Sequence, residues 1–214
     1  MKAIETKYNG YKFRSRLEAR WAVFFDLAGI PYRYEPEGFK LNDGTCYLPD
    51  FYLPWFKCYV EIKPHEISEK EKGIAKKKLE MLFYESDDII VMLCTGDPYD
   101  ENVSIFCNDT CEGSATSMWW KADFIEGAWF EFGGGLYSGG RHFVMIQVNG
   151  GSRDREFLTS GWQEACLINE KDITEWRSKF EYAKEKARQA RFEYGESGCL
   201  VEKRGAPSST QKNT

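Results

Sequence analysis

Residues 15–29, SRLEARWAVFFDLAG, carry a start signal, an apolar face and a stop signal within one helical segment. Ser15 followed three residues later by Glu18 has capping-box spacing, which satisfies free N–H groups in the first turn of a helix. Leu17, Trp21, Phe24, Phe25 and Ala28 then recur with helical period on one stripe, and a stripe so aromatic must be covered by another layer. Gly29 suits the left-handed residue after the last turn, with Pro31 just beyond it. A helix delimited at both ends anchors the reading of what surrounds it.

Before this helix, Asn9-Gly10 between Tyr8 and Tyr11 has the chemistry of a two-residue type I′ hairpin turn. After it come strand-like pieces at 32–35, 39–41 and 46–48, with Asn42-Asp43-Gly44 as a hairpin turn, and a further strand at 59–63. Ser68 and Glu71 repeat the capping-box spacing and open a second helix to about Glu85, with Ile74, Leu79, Leu82 and Phe83 expected on its inner side. DDIIVMLC reads as a buried strand ended by Thr95-Gly96-Asp97-Pro98. The order helix, three strands, helix, strand defines an α/β core over residues 1–98.

Beyond Pro98 the character changes. Gly133, Gly134 and Gly135, then Gly139-Gly140, interrupt aromatic pieces, and FVMIQV at 143–148 is the strand expected in an irregular β-rich accessory region over 99–170. Residues 171–195 are alanine-rich and charged, with Trp176, Phe180, Ala183, Ala187, Ala190 and Arg191 marking a terminal helix. The polar stretch 203–214 is expected to be a disordered tail.

Charge narrows the function classes. A formal net charge of −5 argues against a uniformly basic protein that coats nucleic acid, though not against a local basic patch. Seven cysteines, scattered and odd in number, with no secretory leader, set the expectation of a reducing, cytoplasmic compartment. Cys107 and Cys111 lack a second ligand pair, and His142 stands alone, so structural zinc is not expected. IIVMLC is far short of the roughly 20 apolar residues a membrane helix needs, so no membrane partner is expected.

The chemistry-bearing stretch is YLPDFYLPWFKCYVEIKPHE at 47–66. In YVEIKP a period of two places Tyr59, Glu61 and Lys63 on one strand face and Val60 with Ile62 on the other. Asp50 follows Pro49, which has no N–H for a ladder and marks a place where a strand leaves its sheet; it is read as the end of a short strand. If the two strands are neighbours, Asp50 and Glu61 meet at one sheet edge with the Lys63 ammonium beside them. Converging carboxylates repel, so they share a proton or hold a divalent cation, and the adjacent lysine favours the cation. Oxygen ligands suit Mg²⁺, which keeps several waters and can acidify one, while lysine can orient that water or offset charge on a phosphate. The competing reading is a surface ion pair between Glu61 and Lys63 on a half-exposed strand, with Asp50 opening a turn.

At Pro49-Asp50 and Glu61-Ile62-Lys63, set in that element order, the chain resembles the PD-(D/E)XK nuclease superfamily. YNGYKFRSRLEARWAVFFDLAGIPYRYEPEGFKL, YLPDFYLP, EIKP and the closing ARQARFEYGE are similar to phage-encoded and bacterial members, although the CxxC-type zinc insertion of some members is missing. The resemblance implies a restriction-endonuclease-like core with a mixed central sheet. It also implies Mg²⁺ with Mn²⁺ as a substitute, held by Asp50, Glu61 and the Ile62 carbonyl, with Lys63 positioning water. DNA is the implied substrate, RNA remaining open. The same resemblance offers Glu18 as a further acidic ligand, while the capping box explains Glu18 equally well.

Arg14 and Arg16 flank the helix start and are candidates for phosphate contacts, against the ordinary reading of solvated arginines. Lys76, Lys77 and Lys78 form a candidate backbone-tracking patch, against the reading of a wet helix face. His65 is a candidate phosphate contact or auxiliary acid, against that of a loop histidine. The rival from another class is a non-catalytic nucleic-acid-binding or assembly module on the same fold. The oligomeric state is not legible.

Overall fold

In the computed structural model, β1 (Thr6–Tyr8) and β2 (Tyr11–Phe13) pair antiparallel. They turn through Asn9 at φ 46° and Gly10 at φ 83°, the two left-handed residues that a type I′ turn requires. The described residues are 4–86, 89–100, 102–109, 116–123, 147–148 and 170–192.

Helix α1 (Arg16–Ala28) begins at Ser15, whose hydroxyl accepts the Glu18 N–H, and ends at Gly29 in the left-handed region at φ 77°. Trp21, Phe24, Phe25 and Ala28 of the expected stripe are buried, and Leu17 packs partly buried against the same cluster. Short strands follow as β3 (Arg33–Tyr34), β4 (Phe39–Lys40), β5 (Cys46–Tyr47) and β6 (Phe51–Leu53). A 3-10 turn at Pro54–Phe56 and a left-handed Lys57 then lead into β7 (Cys58–Lys63). Helix α2 (Glu69–Glu85) carries the full capping box between Ser68 and Glu71. It is followed by β8 (Ile90–Thr95), β9 (Asn102–Asp109), β10 (Thr116–Asp123), β11 (Gln147–Val148) and α3 (Glu170–Gln189).

The chain is α/β, built on a mixed sheet with strand order β11-β10-β9-β8-β7-β6-β3. Only β7 and β8, joined through α2, run parallel; the other neighbours are antiparallel. The sheet is covered on both faces. Cys58, Val60 and Ile62 of β7 join the buried cluster of α1 and α3, whereas Tyr59 joins Ala75, Leu79 and Leu82 of α2, with Leu41 and Tyr47 of the β4–β5 hairpin. The alternation along β7 is the one its period of two dictates, with two covering layers in place of one. Among the described residues no helix is long and apolar enough to cross a membrane.

Four expectations are corrected. Asp50 does not end a strand; it immediately precedes β6, three residues enclosed between Pro49 and Pro54 where a strand signal is too short to read. Ile74 is half exposed, and Ala75, one position on, takes its place in the core. β9 and β10 are regular eight-residue strands in the stretch expected to be irregular β structure, where their mixed polar and aromatic sequence has weak alternation. The boundary expected near residue 98 falls within the sheet, since β9 pairs directly with β8. Of FVMIQV, Gln147–Val148 forms β11; the rest, and the 203–214 tail, lie outside the described residues.

The terminal helix is part of the core. Phe180, Ala183, Ala187 and Ala190 are buried with α1, Phe180 lying 6.0 Å from Phe24 between ring centroids. Alanine at three of these positions lets the two helices approach closely, and Trp21 Nε1 donates to the Gly96 carbonyl at 3.0 Å, tying α1 to the turn after β8.

Candidate active site

The site forms where β6 runs out beside β7. Phe51 pairs with Val60 in the last bridge of these strands, so the same register sets Asp50 opposite Glu61 and Pro49 opposite Ile62. Lys57 and Lys63 carbonyls accept from Ile90 and Gly96 on the β8 side. Ile62, one position out of phase with these, therefore turns its N–H and C=O toward the β6 side. The β6–β7 ladder stops at the Phe51–Val60 bridge, and the Asp50 carboxylate takes the Ile62 N–H in place of a strand carbonyl: Oδ2 accepts it at 2.7 Å. On its other flank the Asp50 carbonyl accepts from Glu35 N–H at 2.9 Å.

Asp50 is 5% exposed and Glu61 7% exposed, so two carboxylates are buried at one edge. Tyr47 donates its hydroxyl to Glu61 Oε2 at 2.9 Å, and the Lys63 ammonium pairs with Glu61 Oε1. Burial, and then the charge of Glu61, hold the Asp50 carboxyl well above its usual range, while the Ile62 N–H and Lys63 pull the other way. Burial works against the Lys63 charge, but Glu61, Asp50 and Glu18 outweigh it and its pKa rises, so it remains an ammonium. Burial and Glu61 push the Tyr47 phenol far up, keeping it a donor. Glu61 and Lys63 face a cavity of about 460 Å³ bounded by Pro64, Ile67 and Lys78.

Glu18 lies next to this pair through α1. Its Oε1 accepts from Ser15 Oγ at 2.6 Å, and its Oε2 accepts from the Tyr34 hydroxyl at 2.6 Å and the Arg14 N–H at 3.1 Å. The cap predicted from spacing is thus present, but the carboxylate reaches the Arg14 amide, one residue before the helix cap. Glu18 also acts electrostatically on Asp50, raising its pKa.

The predicted basic residues divide. Arg14 Nη2 pairs with Glu35 and lies 3.4 Å from Asp50 Oδ1, which places it in the carboxylate cluster. Arg16 lines a different cavity, against α3. His65 Nδ1 lies 3.4 Å from Asn102 Nδ2 at the exposed end of the site strands. Lys76 sits over the Trp119 ring at 4.6 Å and Lys77 acts on Asp43, while Lys78 both approaches the Tyr47 ring at 5.7 Å and lines the Glu61 cavity.

Tyr47, Tyr34 and Glu35 were not identified from the sequence. Tyr47 is three residues before Asp50, and its role depends on the β4–β5 hairpin folding back over β7, which no local pattern announces.

Among the described residues no group of three or more His, Cys, Asp or Glu side chains is spaced to hold a metal ion. The Glu18 oxygens are directed at Ser15, Tyr34 and Arg14. What converges is a two-carboxylate, all-oxygen edge with an outward Ile62 carbonyl. That donor set has the chemistry of a hard divalent cation, whose charge would offset the burial and the Glu61 repulsion that raise the Asp50 pKa. No family model matches the chain, and no curated protein matches it.

Proposed function

We propose that this chain is a Mg²⁺-dependent nuclease with a restriction-endonuclease-like core, hydrolysing phosphodiester bonds of DNA in the cytoplasm. The observation that carries this reading is the buried pair Asp50 and Glu61, set opposite one another where β6 leaves β7, with the Lys63 ammonium on Glu61 and a cavity open beside them. A pair of this kind is costly to bury without a compensating cation or chemical role, which weighs against a surface ion pair. Resemblance at Pro49-Asp50 and Glu61-Ile62-Lys63 supports the same reading.

Asp50, Glu61 and the Ile62 carbonyl are the residues that would hold the ion, with Glu18 beside them. Mg²⁺, when bound, supplies Lewis acidity and a water of lowered pKa. Lys63 keeps its proton, and its three donors orient water or offset charge developing on a phosphate oxygen. Tyr47 fixes the rotamer of Glu61, and Arg14 offsets the charge of Asp50 without displacing the Ile62 N–H.

The test is incubation of the purified protein with labelled DNA and RNA duplexes, junctions, flaps and single strands in Mg²⁺, Mn²⁺ or EDTA. DNA cutting is expected in either metal, absent in EDTA and absent in Asp50→Asn. Binding without cutting of any substrate, by a folded protein in either metal, would assign the fold to a non-catalytic nucleic-acid-binding or assembly module instead.

A further inference from the structure

A second cavity, of about 720 Å³, lies between the first turns of α1 and the end of α3, lined by Arg16 and Arg20 from one helix and by Arg188 and Arg191 from the other chain segment. Gln189 and Phe192 are among the residues that complete it, and none of its described lining residues is acidic. Four arginines along one space concentrate positive charge there, and an anion with several acceptor oxygens would offset it.

Two features go beyond a chance grouping. Arg20 Nε is buried and has no hydrogen-bond partner among the described residues. The Arg188 guanidinium is seated 4.6 Å from the centre of the Tyr99 ring, which orients its fork without consuming its donors. Arg188 near the end of α3 also offsets the helix dipole, but that accounts for one arginine at most.

Position supplies the ligand class. Arg16 and Arg20 are four residues apart on one stripe of α1, and Glu18 lies about 200° round the helix from Arg16. The arginine cavity and Glu18, which acts electrostatically on Asp50, therefore flank the same turns of α1, roughly one helix diameter, about 10–12 Å, apart. We propose that this cavity binds a backbone phosphate of the nucleic-acid strand whose other phosphate lies at the Asp50–Glu61 edge. The identity of the strand as substrate rests on the nuclease reading; the phosphate site itself rests on the arginines.

The experiment uses full-length wild type, Arg20→Gln, Arg191→Gln and the double variant, with Lys40→Gln on the opposite side of the sheet as the charge control. Binding of a fluorescent single strand and a duplex is followed by anisotropy in EDTA across a KCl series, and melting is followed across an inorganic phosphate series. The double variant should bind the oligonucleotide about tenfold more weakly at moderate salt. The slope of log affinity against log salt should become shallower by about one for each lost phosphate contact. Wild type should be stabilised by phosphate, and the double variant should lose that stabilisation. Arg191→Gln, at an exposed position past the end of α3, should show part of the same change even if the double variant does not fold.

Affinity and slope equal to those of Lys40→Gln overturn the proposal, as does a phosphate shift that persists in the double variant. Loss of the phosphate shift with an unchanged oligonucleotide slope overturns the strand assignment in favour of a free-anion site. Cleavage is not read here, so a chain that never cuts yet shows the slope change defeats only the nuclease reading.

Discussion

The Asp50 carboxylate accepts the backbone N–H of Ile62 at 2.7 Å, in the place of a strand carbonyl just beyond the last β6–β7 bridge. One residue thereby ends a strand pair, satisfies a buried amide, and turns its second oxygen toward Arg14, 3.4 Å away. Structural and chemical roles are separable because they use different oxygens.

Asp50→Asn should keep the Ile62 bond through its amide oxygen while removing a charge that burial disfavours. In the folded chain Asp50 holds its proton to a higher pH than in the unfolded chain, so its ionisation costs stability as pH rises through the raised value and restores it as pH falls toward the ordinary one. The variant should therefore melt no lower than wild type in EDTA at neutral pH, with about 2–4 °C gained for each kcal/mol relieved. Its wild-type-like fold with no cutting and no Mg²⁺-induced shift is the expected combination, checked by melting curves with and without Mg²⁺. Wild-type cleavage by this variant would falsify the site.

Tyr47→Phe leaves Glu61 Oε2 without its buried donor. Stability should fall by about 1–3 kcal/mol, and cutting should need more Mg²⁺ because Glu61 is no longer held in one rotamer. Melting and a Mg²⁺ titration of cleavage rate check both; an unchanged melting temperature would remove Tyr47 from the site's support.

Glu18→Gln and Ser15→Ala should fail differently. A glutamine oxygen can accept from Tyr34 and Arg14 while its NH₂ donates to Ser15 Oγ, so stability should change by less than about 1 kcal/mol, whereas a lost metal ligand would raise the Mg²⁺ needed for half-maximal cutting. Ser15→Ala removes the cap at a cost of about 1 kcal/mol and leaves metal dependence alone. If Glu18→Gln shows wild-type metal dependence, Glu18 serves as a cap only.

Gly29→Ala should destabilise by roughly 1–2 kcal/mol. Residue 29 is left-handed at φ 77°, so a side chain there strains the end of α1, while the Lys179 ammonium end 2.6 Å from the added methyl carbon can swing aside. Chemical denaturation measures this directly, and an unchanged midpoint would show that the α1 terminus relaxes without cost.

Local rules were sufficient for the elements whose signals lie within a few residues. The Asn9-Gly10 turn, both serine caps, the Gly29 stop, the α1 stripe and the β7 alternation each follow from backbone sterics or side-chain period, and these are properties of adjacent residues. Even the candidate carboxylates and lysine were legible, because Pro49-Asp50 and Glu61-Ile62-Lys63 are contiguous.

Tertiary structure alone decided which groups meet. Antiparallel pairing of β6 with β7 brings Asp50 opposite Glu61, and the β4–β5 hairpin swings Tyr47 onto Glu61. Docking of α3 on α1 collects Arg16, Arg20, Arg188 and Arg191 around one cavity, although their separation in sequence exceeds 150 residues between the two pairs. β9 and β10 were not legible as regular strands for a related reason: an added strand is held by main-chain hydrogen bonds to a neighbour already in place, which are nearly indifferent to side-chain pattern. Short-range sterics are written into neighbouring residues; long-range pairing depends on closing the chain over burial and backbone bonds, and only the folded molecule records its outcome.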